Sequence, residues 1–267
     1  MRHHDVTYVS LDVVDTTPLK AAITAFQPDV VINLVSMVTA VRDASLFETM
    51  MDHHTQTAQS IYEALKEYQA LSLFVHIGSL EEYGNIEAPF REDAREAPNS
   101  PYALAKQMTT NFFLMMHRLY GFRVTVWRLA NLFGHHQNAQ KFLPYVMETL
   151  RKNEPLKTTH GHQRRDFLST AQLSLYVGAL LETPDALIGE IINLGSGEAL
   201  SLRSVIEGLK EACESSSTID YGAMAAREDE PELLMGDYTK LQHWVSLPKQ
   251  GTTLKDMIEL MHHTRRS

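Results

Sequence analysis

The chain has 267 residues, 24 Lys+Arg against 33 Asp+Glu, and a formal net charge of −9. The apolar set makes up 44% of it, enough for a sizeable core in one large domain or two modest ones. An acidic balance without a basic stripe argues against nucleic acid as the main ligand. A single cysteine, Cys213, excludes an internal disulfide and a Cys-rich zinc site, and fits a reducing compartment. No apolar run reaches membrane-spanning length, and the opening MRHHDVTYVS lacks the apolar stretch of a signal peptide. The expectation is a cytoplasmic protein with no membrane partner and no metal.

The first predicted strand is Val6–Leu11, followed by a short helix from Pro18 to Phe26. Asp29–Val35 is a continuous run rich in β-branched residues, as expected of a strand buried on both faces. A long helix is predicted from Ser45 to Tyr68, then a strand from Leu71 to Ile77. The helix from Ser100 to Tyr120 carries its own boundaries: Ser100 as N-cap, Pro101 at the first helical position, Gly121 just past the end. Strands follow at Phe122–Leu129 and Glu190–Leu194, with helices at Lys141–Lys152, Ser201–Glu214 and Thr253–His263. Strands separated by helices predict an α/β fold with a mainly parallel sheet. The looser second half reads as a smaller lobe at the carboxyl end of the sheet, where a substrate usually sits.

Tyr102 and Lys106 lie about one turn apart in the predicted helix, hence on one face. A lysine ammonium beside a phenol favours the phenolate and lowers its pKa from about 10. A phenol tuned in this way can take or give a proton at a sugar or alcohol hydroxyl. Ser79, at the end of the strand before it, can hydrogen-bond the same substrate oxygen.

In this order the motifs resemble the extended short-chain dehydrogenase/reductase family, the NAD(P)-dependent epimerases and dehydratases of nucleotide sugars. The resemblance rests on Asp12 after the first strand, on Val31-Ile32-Asn33-Leu34-Val35-Ser36, and on Gly78-Ser79 followed by Tyr83-Gly84. It continues through Asn99-Ser100-Pro101-Tyr102-Ala103-Leu104-Ala105-Lys106, Arg128-Leu129-Ala130-Asn131-Leu132-Phe133-Gly134, Arg165-Asp166-Phe167 and Asn193-Leu194-Gly195-Ser196-Gly197. It implies a Rossmann-like parallel sheet, with residues 1–134 as a partial NAD(P)-binding domain. Residues 135–267 then form a small substrate-binding lobe, whose strand near 190–195 returns to the sheet. Tyr102 is implied as general acid/base, Lys106 as the residue that lowers its pKa and holds the nicotinamide ribose, and Ser79 as the group that orients the substrate hydroxyl. Asp12, Leu34, Val35 and Ser36 are implied on the cofactor, NAD or NADP. Glu81, Asn131, Arg165 and Arg227 are implied on a nucleoside-diphosphate sugar, the two arginines on its diphosphate. A homodimer through the Ser100–Tyr120 helix also follows from the resemblance alone.

Relatives that dehydrate the sugar resemble one another in an acid pair directly after the hydroxyl residue. Here Ser79-Leu80-Glu81 breaks that pair, since Leu80 cannot protonate a leaving hydroxyl. A 4,6-dehydratase is therefore less expected than a 4-epimerase or a 4-keto reductase; one sequence does not separate the last two, and the epimerase is placed first. The family's glycine-rich turn, which lets backbone amides approach the cofactor pyrophosphate, has no counterpart: no glycine precedes Gly78. The resemblance thus implies a Rossmann sheet truncated at the N-terminus, with weakened cofactor binding and an open strand edge at Asp29–Val35. Val6–Leu11 or a partner chain is expected to cover that edge. Three readings stay open: a fragment of a longer enzyme, a non-catalytic sugar-nucleotide-binding or scaffold relative, or a half-fold completed by another polypeptide.

Overall fold

A computed structural model describes residues 6–39, 41–226 and 229–263. In chain order the elements are α1 (Thr16–Phe26), β1 (Val30–Asn33), α2 (Phe47–Leu65), β2 (Leu73–Ser79), α3 (Pro101–Tyr120), β3 (Val124–Leu129) and β4 (Asn131–Phe133). Then come α4 (Phe142–Arg151), β5 (Leu156–Thr158), β6 (Arg164–Ser169), α5 (Thr170–Leu180), β7 (Ile191–Leu194), β8 (Ala199–Ser201), α6 (Leu202–Ala212), β9 (Ile219–Tyr221), β10 (Leu233–Leu234) and α7 (Thr252–His263). The chain divides into two compact units. The first comprises Met1–Gly78, Ser100–Val126 and Pro184–Glu190, and the second comprises Ser79–Asn99, Trp127–Thr183 and Ile191–Ser267.

In the first unit β1 and β2 pair in parallel, Val30 opposite Leu73 and Asn33 opposite His76, and Phe74 N–H donates to Arg123 O at the entrance to β3. Helices α1, α2 and α3 bury their apolar faces in a core of Ile23, Ile61, Leu65, Phe74, Phe113 and Phe122. Each such side chain contributes roughly 1.5–3 kcal/mol by leaving water. Helix α3 starts and stops where its sequence says. Ser100 Oγ accepts from Ala103 N–H, Pro101 occupies the first turn, and Gly121 closes the helix at φ 68°, with its N–H on His117 O.

Two expectations change here. Val6–Leu11 forms no strand: the described part of this stretch has no ladder partner, and Val6, Tyr8 and Val9 are exposed. β-Branched composition favours extended backbone, but a strand needs a neighbour to take its hydrogen bonds. The ladder of the next strand covers only Val30–Asn33, and it is not buried on both faces. Among the described residues β1 has β2 as its only partner strand, so Ile32, Leu34 and Val35 stay exposed.

In the second unit β6 is the hub, parallel to β4 and β10 and antiparallel to β8. Strands β5 and β9 pair in parallel apart from it. A second core joins Phe133, Leu143, Leu150, Phe167, Ile206 and Met257 beneath α4, α6 and α7. Trp127, the largest fully buried side chain, lies in β3, and Trp244 donates its indole N–H to Thr183 Oγ1 at 3.0 Å. Helix α5 is absent from the sequence reading. It has little amphipathic periodicity, and its start is marked only by Ser169 capping Gln172 N–H.

Candidate active site

In the first unit, the first two turns of α3 bring Tyr102 and Lys106 onto one face. Lys106 is 3% exposed, and its Nζ donates to Ile77 O at 2.8 Å, near the end of β2. Burial of an ammonium is tolerable only when it is hydrogen-bonded, so this contact fixes the amine in place. The His54 ring of α2 meets Tyr102 edge-on, with centroids 6.2 Å apart, and its Nε2–H donates to Met37 O at 3.2 Å. His76, fully buried in β2, lies between Asn33 and Thr109. Asn33 Oδ1 accepts from Val35 N–H, which turns its amide nitrogen toward His76 Nδ1. The network therefore assigns His76 a proton on Nε2, donated to Thr109 Oγ1.

Both rings are kept neutral. Burial, the nearby Lys106 charge and His53 lower the His54 pKa to about 4 against one hydrogen bond that raises it. Burial, Lys106 and His54 hold His76 well below the usual histidine range. A histidine with a depressed folded pKa contributes stability that is complete above about 6.5. That stability is lost as pH falls, because the unfolded chain takes up the proton first. Stability is therefore expected to fall between pH 6.5 and 4 by at most ~1.4 kcal/mol per pH unit for each ring. Urea titrations of the wild type and a His54→Gln/His76→Asn variant would show it as a steeper acid slope in the wild type. Equal slopes would remove the assignment of neutral rings.

In the second unit Ser79 caps the short 3₁₀ turn Leu80–Tyr83. Its Oγ accepts from Glu81 N–H at 3.2 Å, and its own N–H donates to Glu82 Oε1 at 2.8 Å. Glu82 is fully buried and accepts from Arg128 Nε at 2.9 Å, while Arg128 Nη2 donates to Glu96 at 2.6 Å. The guanidinium stands 4.4 Å over the Tyr83 ring, and Tyr83 OH donates to Asn193 Oδ1 at 2.9 Å. Burial works against the Arg128 charge, but Glu82 and the other partners outweigh it and raise its pKa. Burial pushes Tyr83 up to about 12, against the pull of Arg128.

The remaining candidates are dispersed. Asp12 is exposed and accepts from Val14 N–H in a turn ahead of α1. Leu34 and Val35 are exposed beyond β1, and Ser36 Oγ is buried without a hydrogen-bond partner. Glu81 lies in the Ser79 turn, and Asn131 opens β4 opposite Phe167 of β6. Arg165 is buried with its guanidinium already engaged, on Glu230 at 2.7 Å and on the carbonyls of Arg164 and Pro231. Arg227 lies outside the described residues.

Two groups escaped the sequence reading. One is the Arg128–Glu82–Glu96 cluster, which the Ser-x-x-Glu spacing of Ser79 and Glu82 announces as a capping box. The other is Asp166, fully buried, which accepts from Ser196 N–H, Ser196 Oγ–H, Gly197 N–H and Tyr238 OH. It ties β6 to the Gly195–Gly197 turn. Nothing in the sequence marks its partner Tyr238, 72 residues away.

A parallel α/β fold with a Tyr-x-x-x-Lys helix start and a serine at the preceding strand end defines a class of nucleotide-cofactor folds. The chain belongs to the NAD dependent epimerase/dehydratase family, whose profile matches residues 1–195. It is 36% identical over 105 residues to the CDP-abequose synthase of Salmonella muenchen, covering 39% of this chain and 35% of that one. It is 31% identical over 157 residues to a dTDP-glucose 4,6-dehydratase of Streptomyces niveus, covering 58% and 46%. The chain thus spans less than half the length of these two relatives. In fold it is similar to the UDP-glucuronic acid 4-epimerase of Bacillus cereus, solved with UDP-glucuronic acid and NAD. The TM-score is 0.86 at 22% identity, with 97% of this chain and 82% of that chain covered.

Proposed function

We propose that this chain carries the acid/base half of NAD(P)-dependent chemistry at C4 of a nucleoside-diphosphate sugar, as a 4-epimerase. The observation that supports this most is Lys106, buried and anchored on Ile77 O one turn beyond Tyr102. Tyr102 takes the proton of the sugar hydroxyl as the ring carbon is oxidised and returns it when the carbonyl is reduced. Lys106 stabilises the phenolate between those events. Ser79 hydrogen-bonds the same oxygen. Residues 1–134 and 135–267 serve as cofactor and substrate halves, in a cytoplasmic homodimer. A groove of about 620 Å³ between α2 and α3, lined by Tyr62, Phe112, Met116 and Tyr120 with Gln59, Glu63 and Lys66 beside them, supports the dimer.

A nicotinamide cofactor, where bound, accepts the hydride and returns it. Tyr102 and Lys106 fit its ribose end. Its pyrophosphate end needs open backbone amides at a helix N-terminus. The N-terminus of α1 does not offer them, because Asp15 caps it through Thr17 N–H and Asp12 adds a second carboxylate just ahead. No residue before Gly78 is glycine. Asp12, Leu34, Val35 and Ser36 are therefore only candidates for its contact. Asn131, Arg165 and Arg227 are our candidates for the sugar nucleotide and Glu81 for the sugar. A diphosphate at Arg165 would have to displace Glu230.

A 4-keto reductase is the second reading, since it needs the same three side chains. Leu80, fully buried in the position of the dehydratase acid, favours both over dehydration. The test is to incubate the purified chain with UDP-glucose and NAD, and separately with a 4-keto sugar nucleotide and NADPH. Conversion of UDP-glucose to its C4 epimer supports the first reading, and stoichiometric loss of NADPH absorbance supports the second. Neither, in a folded chain that binds neither cofactor by calorimetry, would favour a fragment of a longer enzyme or a non-catalytic relative over an enzyme active by itself.

A further inference from the structure

We propose that Arg128 is the positioning residue of Ser79, acting through Glu82. The inference rests on the reading above, that the Ser79 hydroxyl meets the substrate. Glu82 joins two jobs on one carboxylate: one oxygen accepts the Ser79 backbone N–H at 2.8 Å, and the other accepts Arg128 Nε at 2.9 Å. Both side chains are fully buried, so the ion pair is shielded from solvent screening. Arg128 is itself held from two further sides, by Glu96 through Nη2 and by the Tyr83 face. Tyr83 is fixed in turn by Asn193 and by stacking on Phe90 at 4.9 Å. The Ser79 backbone is therefore bolted to β3 and β7 rather than left to the mobility usual in a loop.

This has a chemical consequence. Ser79 Oγ already accepts the Glu81 N–H. That contact uses one of the two lone pairs of the hydroxyl, so its hydrogen and the second lone pair stay available to a ligand. Ser79 can therefore donate to a carbonyl or alkoxide at C4 from a fixed position, and accept from a neutral hydroxyl there. A planar fork suits position 128, because Nε and Nη2 of one guanidinium meet Glu82 and Glu96 in fixed divergent directions, which the rotatable donors of an ammonium do not impose.

The test compares Arg128→Lys with a Glu82→Gln/Arg128→Met double variant, each in the full chain. Arg128→Met alone would strand the fully buried Glu82 carboxylate and could fail to fold; the double variant removes that charge and leaves only the partly exposed Glu96 without its partner. Deuterium exchange of the segment from Gly78 to Gly84 is read by mass spectrometry, beside the thermal midpoint. For Arg128→Lys we expect a lowered midpoint and a loss of protection in this segment greater than the fall in global stability accounts for. Where the wild type shows Tyr102-dependent turnover, we also expect kcat to fall by about ten-fold or more with KM within about two-fold. Unchanged exchange at 78–84 in both variants overturns the proposal. So does a kcat that falls only in proportion to the folded fraction. A wild type without turnover removes activity of this chain by itself, and the exchange result then decides the positioning.

Discussion

Replacement of Tyr102 by Phe is expected to lower turnover by about 10²–10⁴-fold, the usual contribution of a positioned general acid or base. The ring stays, so its edge contact with His54 and the packing of α3 should persist, and thermal stability should change little. Lys106→Met should lower turnover comparably, and it carries a readout that needs no substrate. The ammonium is one of the charges that depress the His54 and His76 pKa values. Its removal should let both rings titrate closer to the ordinary histidine value, as followed by NMR of the ring protons. Turnover in Tyr102→Phe within a few-fold of wild type would end the assignment of the phenol. Histidine titrations unmoved in Lys106→Met would mean that the amine does not occupy the place described.

Gly84→Ala is expected to cost more than ~3 kcal/mol or to prevent folding, whereas Gly121→Ala costs only ~1 kcal/mol. Both glycines sit at positive φ, 61° and 68°. The difference lies in what a methyl group would meet. At Gly84 it would fall 1.8 Å from Ala97 O, a backbone atom that cannot swing aside, and at Gly121 it would point into open space. The two chain segments touch here because Asn85 N–H donates to Ala97 O and Ala97 N–H to Tyr83 O. This close approach accounts for glycine after Tyr83. Urea unfolding of the two variants measures the gap. Equal small losses would show that the strands are further apart than described.

The legible parts of this protein were those coded locally. Ser100, Pro101 and Gly121 bracket α3, and the bounds in the structure fall on them. Tyr102 and Lys106 share a face because helical spacing requires it. What the sequence hid was coded by partners far along the chain. Whether Val6–Leu11 became a strand depended on a neighbour to pair with, which composition does not report. The exposure of β1 likewise came from its place in the sheet order rather than from its residues. The resemblance implied Arg165 on a diphosphate, and Glu230, 65 residues away, takes its guanidinium. The Arg128 cluster joins residues 46 and 32 positions apart, a separation at which no local periodicity survives.

The two tryptophans have an optical consequence. Trp127 and Trp244 both belong to the second unit, and the first, which holds Tyr102 and Lys106, contains none. Intrinsic emission excited at the indole band therefore reports mainly on the second unit, whereas far-ultraviolet circular dichroism sees the helices of both. Coincident melting curves by the two methods would show that the units unfold together. A dichroism transition that precedes the emission change would place the earlier loss of structure in the unit that carries the tyrosine–lysine pair.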